Sequence, residues 1–364
     1  MIHRQNTLRF PAILAICIVL IPIALIGCSG SAGPDDNGNN GAGDSFALWK
    51  QQPDEQIVFM SKADSAHGEL YLIDKQGSIT RLTNNNLYEN NPAMSPDGTK
   101  VAFNAGEESN QLTWEICVLD LQTMEQTQLT ANSVIDAHPD WSPDGTKIVF
   151  GSFRDAQDNP AGAADIFVMN AADGTGLTRL TNSPEVEDND PEWSPDGSKI
   201  VYKSTEHTRQ SAREEIYVMG SDGSNTRRLT ETSGWQSDHD PSWRPGGDRI
   251  VFIRFEGSRA WTDGTDLSIL VDKWQELTPW NICTVDLSGN VQKLTGNTEA
   301  GWGVAVYSSD GSKILYGRLD WITNSKNQII GGYHRLILMD TDGSDQEQLI
   351  QDDEHTGTLE YFDW

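Results

Sequence analysis

The sequence predicts an all-β fold made of one repeated four-stranded unit, and three recurring phrases carry that prediction. The second phrase (EIYVMG and five variants) and the third (RLT and its variants) each occur six times. Their alternating apolar residues and β-branched content are typical of strands rather than helices. Each unit therefore reads as four strands, A to D. The first phrase, built around Ser-Pro-Asp-Gly, recurs at 91–103, 138–150, 190–202 and 240–252, with a worn copy at 304–316.

The two ends of the repeat array are offset by one strand. The chain enters the first unit at strand B, residues 57–60, and residues 360–364 supply a lone strand A at the other end. Trp364 falls where the Trp of the Pro-x-Trp motif falls in other units. We therefore expect a six-bladed β-propeller over residues 56–364, closed by a C-terminal strand in the first blade, because closure removes exposed edges. A linear solenoid is the alternative, but it would not require that lone strand.

The N-terminal segment, residues 1–27, predicts a lipoprotein signal peptide. Arg4 and Arg9 precede an almost wholly apolar stretch at 10–26, and Leu-Ile-Gly-Cys follows, ending at Cys28. This resembles a bacterial lipobox, in which Cys28 would be lipidated. A plain transmembrane anchor is the alternative, because about 17 apolar residues can just span a bilayer.

The residues after the lipobox predict a tether. Ser29, rather than Asp, follows the cysteine, which resembles an outer-membrane sorting signal and predicts a periplasm-facing protein of the cell envelope. Residues 28–55 are rich in Gly, Asn, Asp and Ser at their start, a composition typical of flexible linkers. No separate domain is expected between the anchor and the propeller.

The charge balance limits the partners. The chain carries 54 Asp and Glu against 26 Lys and Arg, a formal charge of −28. Such a protein is unsuited to nucleic acid, whose phosphates need Lys and Arg. The balance is compatible with divalent cations or basic partners.

The three phrases resemble the propeller repeats of the TolB family, also called WD-like repeats. The resemblance covers residues 56–364 and implies a six-bladed propeller in the cell envelope that binds a protein or an envelope polymer. TolB also carries an N-terminal α/β domain, whereas only the tether precedes the first repeat here. Related repeats build oligogalacturonate lyases, so a carbohydrate-active lyase or a sugar-binding protein is the alternative function.

The loops predict which face of the propeller carries function. In a propeller the D–A and B–C loops share one face, and here the B–C loops are long while the A–B and C–D turns are tight. Variable loops on a rigid scaffold are where binding usually occurs. We call the elaborated side the long-loop face and the other side the short-turn face. The candidate ligand-binding residues on the long-loop face are His138, His239, Asp240, Trp261, Trp302, Trp321, Tyr333 and His334.

Most of these aromatic residues belong to the insertions of blades 5 and 6. They could line a groove for sugar or peptide, or they could pack the insertions onto the propeller. Three histidines are candidates for a lyase-type metal cluster, but no His-x-His pair of the kind the lyases show is present. No Gly-x-Ser-x-Gly, His-Glu-x-x-His or Cys-x-x-Cys motif occurs either, so we expect a protein without enzymatic activity.

Carboxylates recur at fixed positions near strand A, the innermost strand of each blade. One set lies three residues ahead of the Pro position, and the other directly precedes the proline. We expect both sets to face the central channel and to form a candidate metal site, with Ca²⁺ as the ion that prefers oxygen ligands in loose geometry. Capping of local turns is the alternative explanation. The candidate metal ligands are Glu89, Asp136, Asp188, Asp238 and Asp190.

Two cysteines occupy the same position of strand C, Cys117 in blade 2 and Cys283 in blade 5. These blades are opposite each other in a six-membered ring. A disulfide requires Cα atoms within about 7 Å, so we expect both thiols to be free.

Overall fold

The computed structural model describes residues 56–62, 67–74, 77–154, 163–182, 186–206, 213–234, 236–256, 280–296, 304–323, 329–351 and 359–363. Within these ranges the fold is all-β and contains no helix. No described segment is therefore a helix long and apolar enough to cross a membrane. The predicted signal peptide, Cys28 and the tether lie outside the described residues.

The described strands form six four-stranded antiparallel sheets, which confirms the predicted six-bladed β-propeller. The first two blades comprise β1 (Ile57–Ser61), β2 (Glu69–Ile73) and β3 (Ile79–Arg81), then β4 (Tyr88–Met94), β5 (Lys100–Glu107), β6 (Asn110–Asp120) and β7 (Gln126–Gln128). Blades 3 and 4 comprise β8 (Asp136–Trp141), β9 (Lys147–Ser152), β10 (Asp165–Asn170) and β11 (Thr178–Arg179), then β12 (Asp188–Trp193), β13 (Lys199–Ser204), β14 (Glu215–Gly220) and β15 (Arg227–Arg228). Blades 5 and 6 comprise β16 (Gln236–Trp243), β17 (Arg249–Glu256), β18 (Trp280–Asp286) and β19 (Val291–Lys293), then β20 (Ala305–Tyr307), β21 (Lys313–Thr323), β22 (Ile329–Asp340) and β23 (Glu347–Gln351).

The first blade takes its innermost strand from the end of the chain. Strand β24 (Leu359–Asp363) pairs antiparallel with β1, so the sheet order is β24-β1-β2-β3. Phe59 lies opposite Phe362 in this register. Asp363 also accepts a hydrogen bond from the backbone N–H of Met94 in blade 2, at 2.7 Å. Residue 364 itself lies outside the described residues.

The Ser-Pro-Asp-Gly phrase forms the A–B turn through local hydrogen bonds. In blade 2 the Ser95 hydroxyl donates to Asp97, and the N–H of Gly98 donates to the Ser95 carbonyl at 2.8 Å. Gly98 has a φ of 67°, which glycine adopts without steric cost. The same bonds recur in blades 3, 4 and 6, whereas Arg-Pro-Gly-Gly in blade 5 keeps only the backbone bond, from the N–H of Gly247 to the Arg244 carbonyl at 2.7 Å. The local sequence thus defines these tight turns.

The C–D turns of this face touch the preceding blade. Gly174 has a φ of 69°, and a Cβ atom at that position would lie 2.3 Å from the carbonyl oxygen of Leu129 in blade 2. A side chain there would meet backbone, which cannot move aside. This glycine is therefore required by packing between blades as well as by the turn.

The hydrophobic core lies between adjacent blades. Trp141 in blade 3, for example, packs with Ala93 and Ala102 in blade 2 and donates its indole N–H to the Ala93 carbonyl at 3.1 Å. The other Pro-x-Trp tryptophans, Trp193 and Trp243, are likewise buried. These tryptophans thus have a structural role.

Cys117 and Cys283 are both free and buried, as expected from their positions in β6 and β18. Burial raises the pKa of the Cys117 thiol to about 11 and that of Cys283 to about 12. Both are therefore unreactive core thiols in the native state.

Candidate functional site

The central channel contains a cavity of about 100 Å³. Strand A of each blade forms its wall, so residues distant in sequence meet around one axis. Prolines and valines supply the apolar part of the wall. The polar part comprises Asn91, His138, Asp140, Asp190, Glu192, Asp240 and Asp363.

A bulge in strand A turns the residue before each proline into the channel. The pairing of β12 with β13 shifts by one residue between Asn189 and Glu192, and similar shifts occur in blades 2, 3 and 5. Four residues at this position have positive φ angles: Asn91 (49°), His138 (55°), Asp190 (52°) and Asp240 (48°). Asn, Asp and His are the non-glycine types that tolerate this region best. Backbone conformation thus limits which side chains the channel can present.

A half-buried lysine, whose side chain is 15% exposed, connects two carboxylates at the long-loop end of the channel. The ammonium group of Lys203, on β13, lies 2.9 Å from Asp190 Oδ2 and 3.2 Å from Glu214 Oε1. His138 Nδ1 lies 3.0 Å from the other oxygen of Asp190. The carboxylates hold the pKa of Lys203 well above its usual value despite burial, so it stays charged.

His239 extends this network into blade 5. Its Nδ1 lies 2.7 Å from Glu214 Oε2, and its ring packs against the indole of Trp280 with centroids 5.4 Å apart. Burial lowers the pKa of His239, but the Glu214 carboxylate outweighs this and raises it above the usual value. Burial and the nearby Asp190 raise the pKa of Asp240 to about 6. We call His138, Asp190, Lys203, Glu214, His239 and Asp240 the mouth network.

The two histidines of the mouth network differ in charge. For His138, burial outweighs the attraction of Asp190, and its pKa falls below the usual value. Burial thus favours the uncharged form of His138, whereas the Glu214 carboxylate favours the protonated form of His239. The carboxylates of the network outnumber its charged cations.

Deeper in the channel, three more carboxylates face the cavity. Each accepts a backbone N–H from the strand A that follows around the ring. Asp140 accepts from Trp193 and Glu192 from Trp243, each at 2.7 Å. Burial and repulsion from Asp363 raise the pKa of Asp140 to about 8, and burial with repulsion from Asp140 raises that of Glu192 well above normal. We call Asp140, Glu192 and Asp363 the inner carboxylates.

The first predicted set of carboxylates does not line the cavity, which corrects the expected orientation. Each member is buried where strand A meets the preceding blade and is bonded separately. Asp136 binds Ser152 and Arg154, and Asp238 makes two bonds of 2.6 and 2.7 Å with Arg254. Burial raises the pKa of Glu89 to about 7, and also that of Asp188, beside Ser204, to about 7.

The predicted Ca²⁺ site remains a prediction. Of the five predicted ligands, the structure brings only Asp190 to the cavity wall. Among the described residues, no group of three or more His, Cys, Asp or Glu side chains is arranged to hold a metal ion.

The predicted aromatic groove falls largely outside the described part of the chain. Trp261 and Trp302 lie in undescribed segments. Strands β21 and β22 form a long hairpin in which Trp321 is opposite Gly332, Asp320 is opposite Tyr333 and Leu319 is opposite His334. Their use as a binding groove stays a prediction.

Two members of the mouth network, Lys203 and Glu214, were not predicted from sequence. A signal for Lys203 exists in the repeats. Strand B reads KIVYKS in blade 4 but KIVFGS in blade 3, so a lysine replaces a small residue inside an otherwise apolar strand. Glu214 gives no such signal, because it ends a variable loop.

Comparison with known proteins places the fold. Residues 156–279 match the family model described as TolB beta propeller domain. The crystal structure of TolB from Acinetobacter baumannii is similar with a TM-score of 0.59 at 18% identity, covering 84% of this chain and 66% of that one. Thus about one third of that TolB chain has no counterpart in the match.

Proteins with other functions share the architecture. An oligogalacturonate lyase in complex with manganese matches with a TM-score of 0.51 at 16% identity, covering 82% of this chain and 74% of that one. A chain of a nidogen/laminin complex matches with a TM-score of 0.55 at 12% identity, covering 85% of this chain and 97% of that one. At these identities the likeness concerns the fold. Together with the repeats and the six observed blades, the comparisons show that this chain contains a TolB-like six-bladed β-propeller.

Proposed function

We propose that this protein is a lipid-anchored scaffold of the cell envelope that binds a protein partner on its long-loop face, at the mouth of the channel. The mouth network is the observation that carries this proposal. It places charged and hydrogen-bonding side chains, oriented by bulged strands and mutual ion pairs, on the face where the loops vary. Rigid polar groups surrounded by variable loops are the usual construction of a recognition site.

The size of the cavity favours a protein partner over an oligosaccharide. About 100 Å³ admits the end of one side chain, whereas sugar chains and drug-sized ligands occupy pockets of roughly 300–1,000 Å³. The alternative function, that of a lyase, is supported by the similarity of the fold to an oligogalacturonate lyase and by the presence of His138 and His239 at the channel mouth. Each of these histidines already places Nδ1 against a carboxylate.

Site-specific photo-crosslinking tests the partner proposal. Leu112 lies on the β5–β6 hairpin of the long-loop face and is 56% exposed; Met124, in the C–D turn of the same blade, is 48% exposed on the short-turn face. A photoreactive amino acid at 112 should crosslink a discrete envelope protein, and one at 124 should not. Equal products from both positions, or none from 112 and from further positions on that face, would refute the proposal.

Lipid anchoring is tested separately. Labelling of the full chain with radioactive palmitate should modify the wild type and not a Cys28→Ser variant. Fractionation should place the labelled protein with outer membranes. A wild-type chain that remains unlabelled while a control lipoprotein is labelled would contradict the anchor.

A further inference from the structure

The channel cavity contains more hydrogen-bond acceptors than donors. Asp240 lines it, and within the described ranges no donor bonds to this carboxylate. Asn91 also lines the cavity, and its Oδ1 atom is fully buried with no hydrogen-bond partner among the described residues. Buried acceptors without donors are costly, so this oxygen indicates that the wall is complete only when a donor enters.

The inner carboxylates add acceptors at a second level. Asp140 and Glu192 each direct one oxygen to a backbone N–H, by Oδ2 and Oε1 respectively. Ser242 also donates to Glu192 Oε1, at 3.3 Å, and the backbone N–H of Trp141 also lies near Asp140. Among the described residues, no lysine, arginine or histidine pairs with either carboxylate. Burial, together with repulsion between neighbouring carboxylates, raises the pKa values of Asp140 and Glu192, and either protons or a cation in the channel would stabilise these groups.

Among the described residues, Lys203 is the lysine nearest the cavity, but it does not neutralise Asp240 or the inner carboxylates. Lys203 is already shared between Asp190 and Glu214. The acceptors that remain belong to blades 2 to 5 and surround the axis at two depths, so they suit a positively charged group that donates hydrogen bonds in several directions.

The apolar part of the wall favours one kind of cationic group over another. Pro92, Pro139, Pro191 and Pro241 alternate with the acceptors, and Val304 and Val306 complete the wall. Guanidinium is planar, weakly hydrated and has five N–H donors, and its methylene stem packs on apolar surface. Ammonium is compact and strongly hydrated and fits such a wall less well.

We propose that the channel receives the guanidinium group of an arginine presented by the polypeptide partner, which rests on the proposed function. Asp240 and Asn91 bind it at the mouth, and Asp140 and Glu192 attract it from below. The bound charge favours the ionised form of these carboxylates, so binding releases protons near neutral pH.

The test compares two peptides of the same shape. Ac-Gly-Arg-Gly-NH₂ and its neutral isostere with citrulline in place of arginine are titrated calorimetrically into the full chain at low salt. The arginine peptide should bind at least about tenfold more tightly, because the lost bonds are charge-assisted. Its affinity should rise from pH 6 to pH 8, with proton release visible in buffers of different ionisation enthalpy.

Variants locate the site. Asp240→Asn and Asp140→Asn should each weaken the arginine peptide about fivefold or more, whereas Glu125→Gln, on the exposed short-turn face, should bind as the wild type does. Asparagine at 240 tolerates the positive φ, and urea unfolding checks that each variant folds. Equal affinity for the arginine and citrulline peptides, or equal affinity in all variants, would overturn the inference.

Two further outcomes separate the proposals. Free L-arginine binding as tightly as the peptide would overturn the assignment to a polypeptide. Retention of the crosslink at position 112, together with loss of discrimination between the peptides, would overturn the guanidinium site and leave the proposed function standing.

Discussion

Replacing Lys203 by methionine is the sharpest perturbation of the mouth network. Methionine keeps the length and apolar stem of lysine but removes the ammonium that lies 2.9 Å from Asp190 and 3.2 Å from Glu214. Their carboxylates are 6% and 13% exposed, so both charges lose their cation in a poorly solvated site. Removing one partner of a buried ion pair costs about 3–5 kcal/mol, and we expect the Lys203→Met variant to lose about this much unfolding free energy at pH 7.

The loss of unfolding free energy caused by Lys203→Met should be larger at pH 7 than at pH 4. In the wild type, Lys203 and the histidines outweigh burial and hold the pKa values of Asp190 and Glu214 below normal. Such carboxylates contribute stability above their unfolded pKa of about 4, and that contribution is lost on acidification. In the variant the two carboxyls lack this cation, so burial favours their protonated forms, and protonation between pH 7 and pH 4 should reduce the penalty. The contribution that the wild type gains from the ion pairs persists to about pH 4 and is lost only at lower pH.

Urea unfolding at the two pH values measures both effects, and the same strand offers a control. Lys199, four residues earlier on β13, is near the short-turn face, where its ammonium donates to the Ser198 hydroxyl at 3.0 Å and lies near the exposed Asp196. Its replacement by methionine should change stability by less than about 0.5 kcal/mol. Adding Asp190→Asn to Lys203→Met should restore part of the loss, with a coupling of about 0.5–3 kcal/mol. A penalty equal to that of Lys199→Met, or one independent of pH, would refute the reasoning.

Three other predictions concern the scaffold. Gly174→Ala should destabilise the protein about 1–3 kcal/mol more than Gly98→Ala, because both have φ near 68° but only residue 174 meets the backbone of another blade; equal midpoints in urea would contradict this. Cys117 and Cys283 should resist alkylation in the native protein and both react after unfolding without reductant, which mass spectrometry would show; a Cys117–Cys283 crosslink would contradict the opposed blades. Deleting residues 359–364 should remove β24 and leave β1 as an open edge, so light scattering should detect association that the full chain lacks; a monomeric variant of unchanged stability would show that closure is unimportant.

The repeat, the number of blades and the conformation of the A–B turns could all be predicted from the amino-acid sequence. These properties depend on contacts between residues close in the chain, such as the hydrogen bond from Ser to Asp in the A–B turn, which occurs in blades 2, 3, 4 and 6. The polar residues that precede the prolines could also be identified from the sequence, since Asn, His and Asp recur at this position. Their backbone conformation could not.

Which carboxylates lie close together depends on how the blades pack. Strict strand alternation would place Asp188 and Asp190 on the same face, but the extra residue of the bulge breaks that period, so Asp188 enters the blade junction and Asp190 the channel. Asp140, Glu192 and Asp363 come close to one another because three A strands surround one axis. Lys203 comes close to Glu214 because the variable B–C loop of blade 4 ends beside strand β13. Such proximity is a property of the closed ring, because no local pattern in the sequence specifies distances across it.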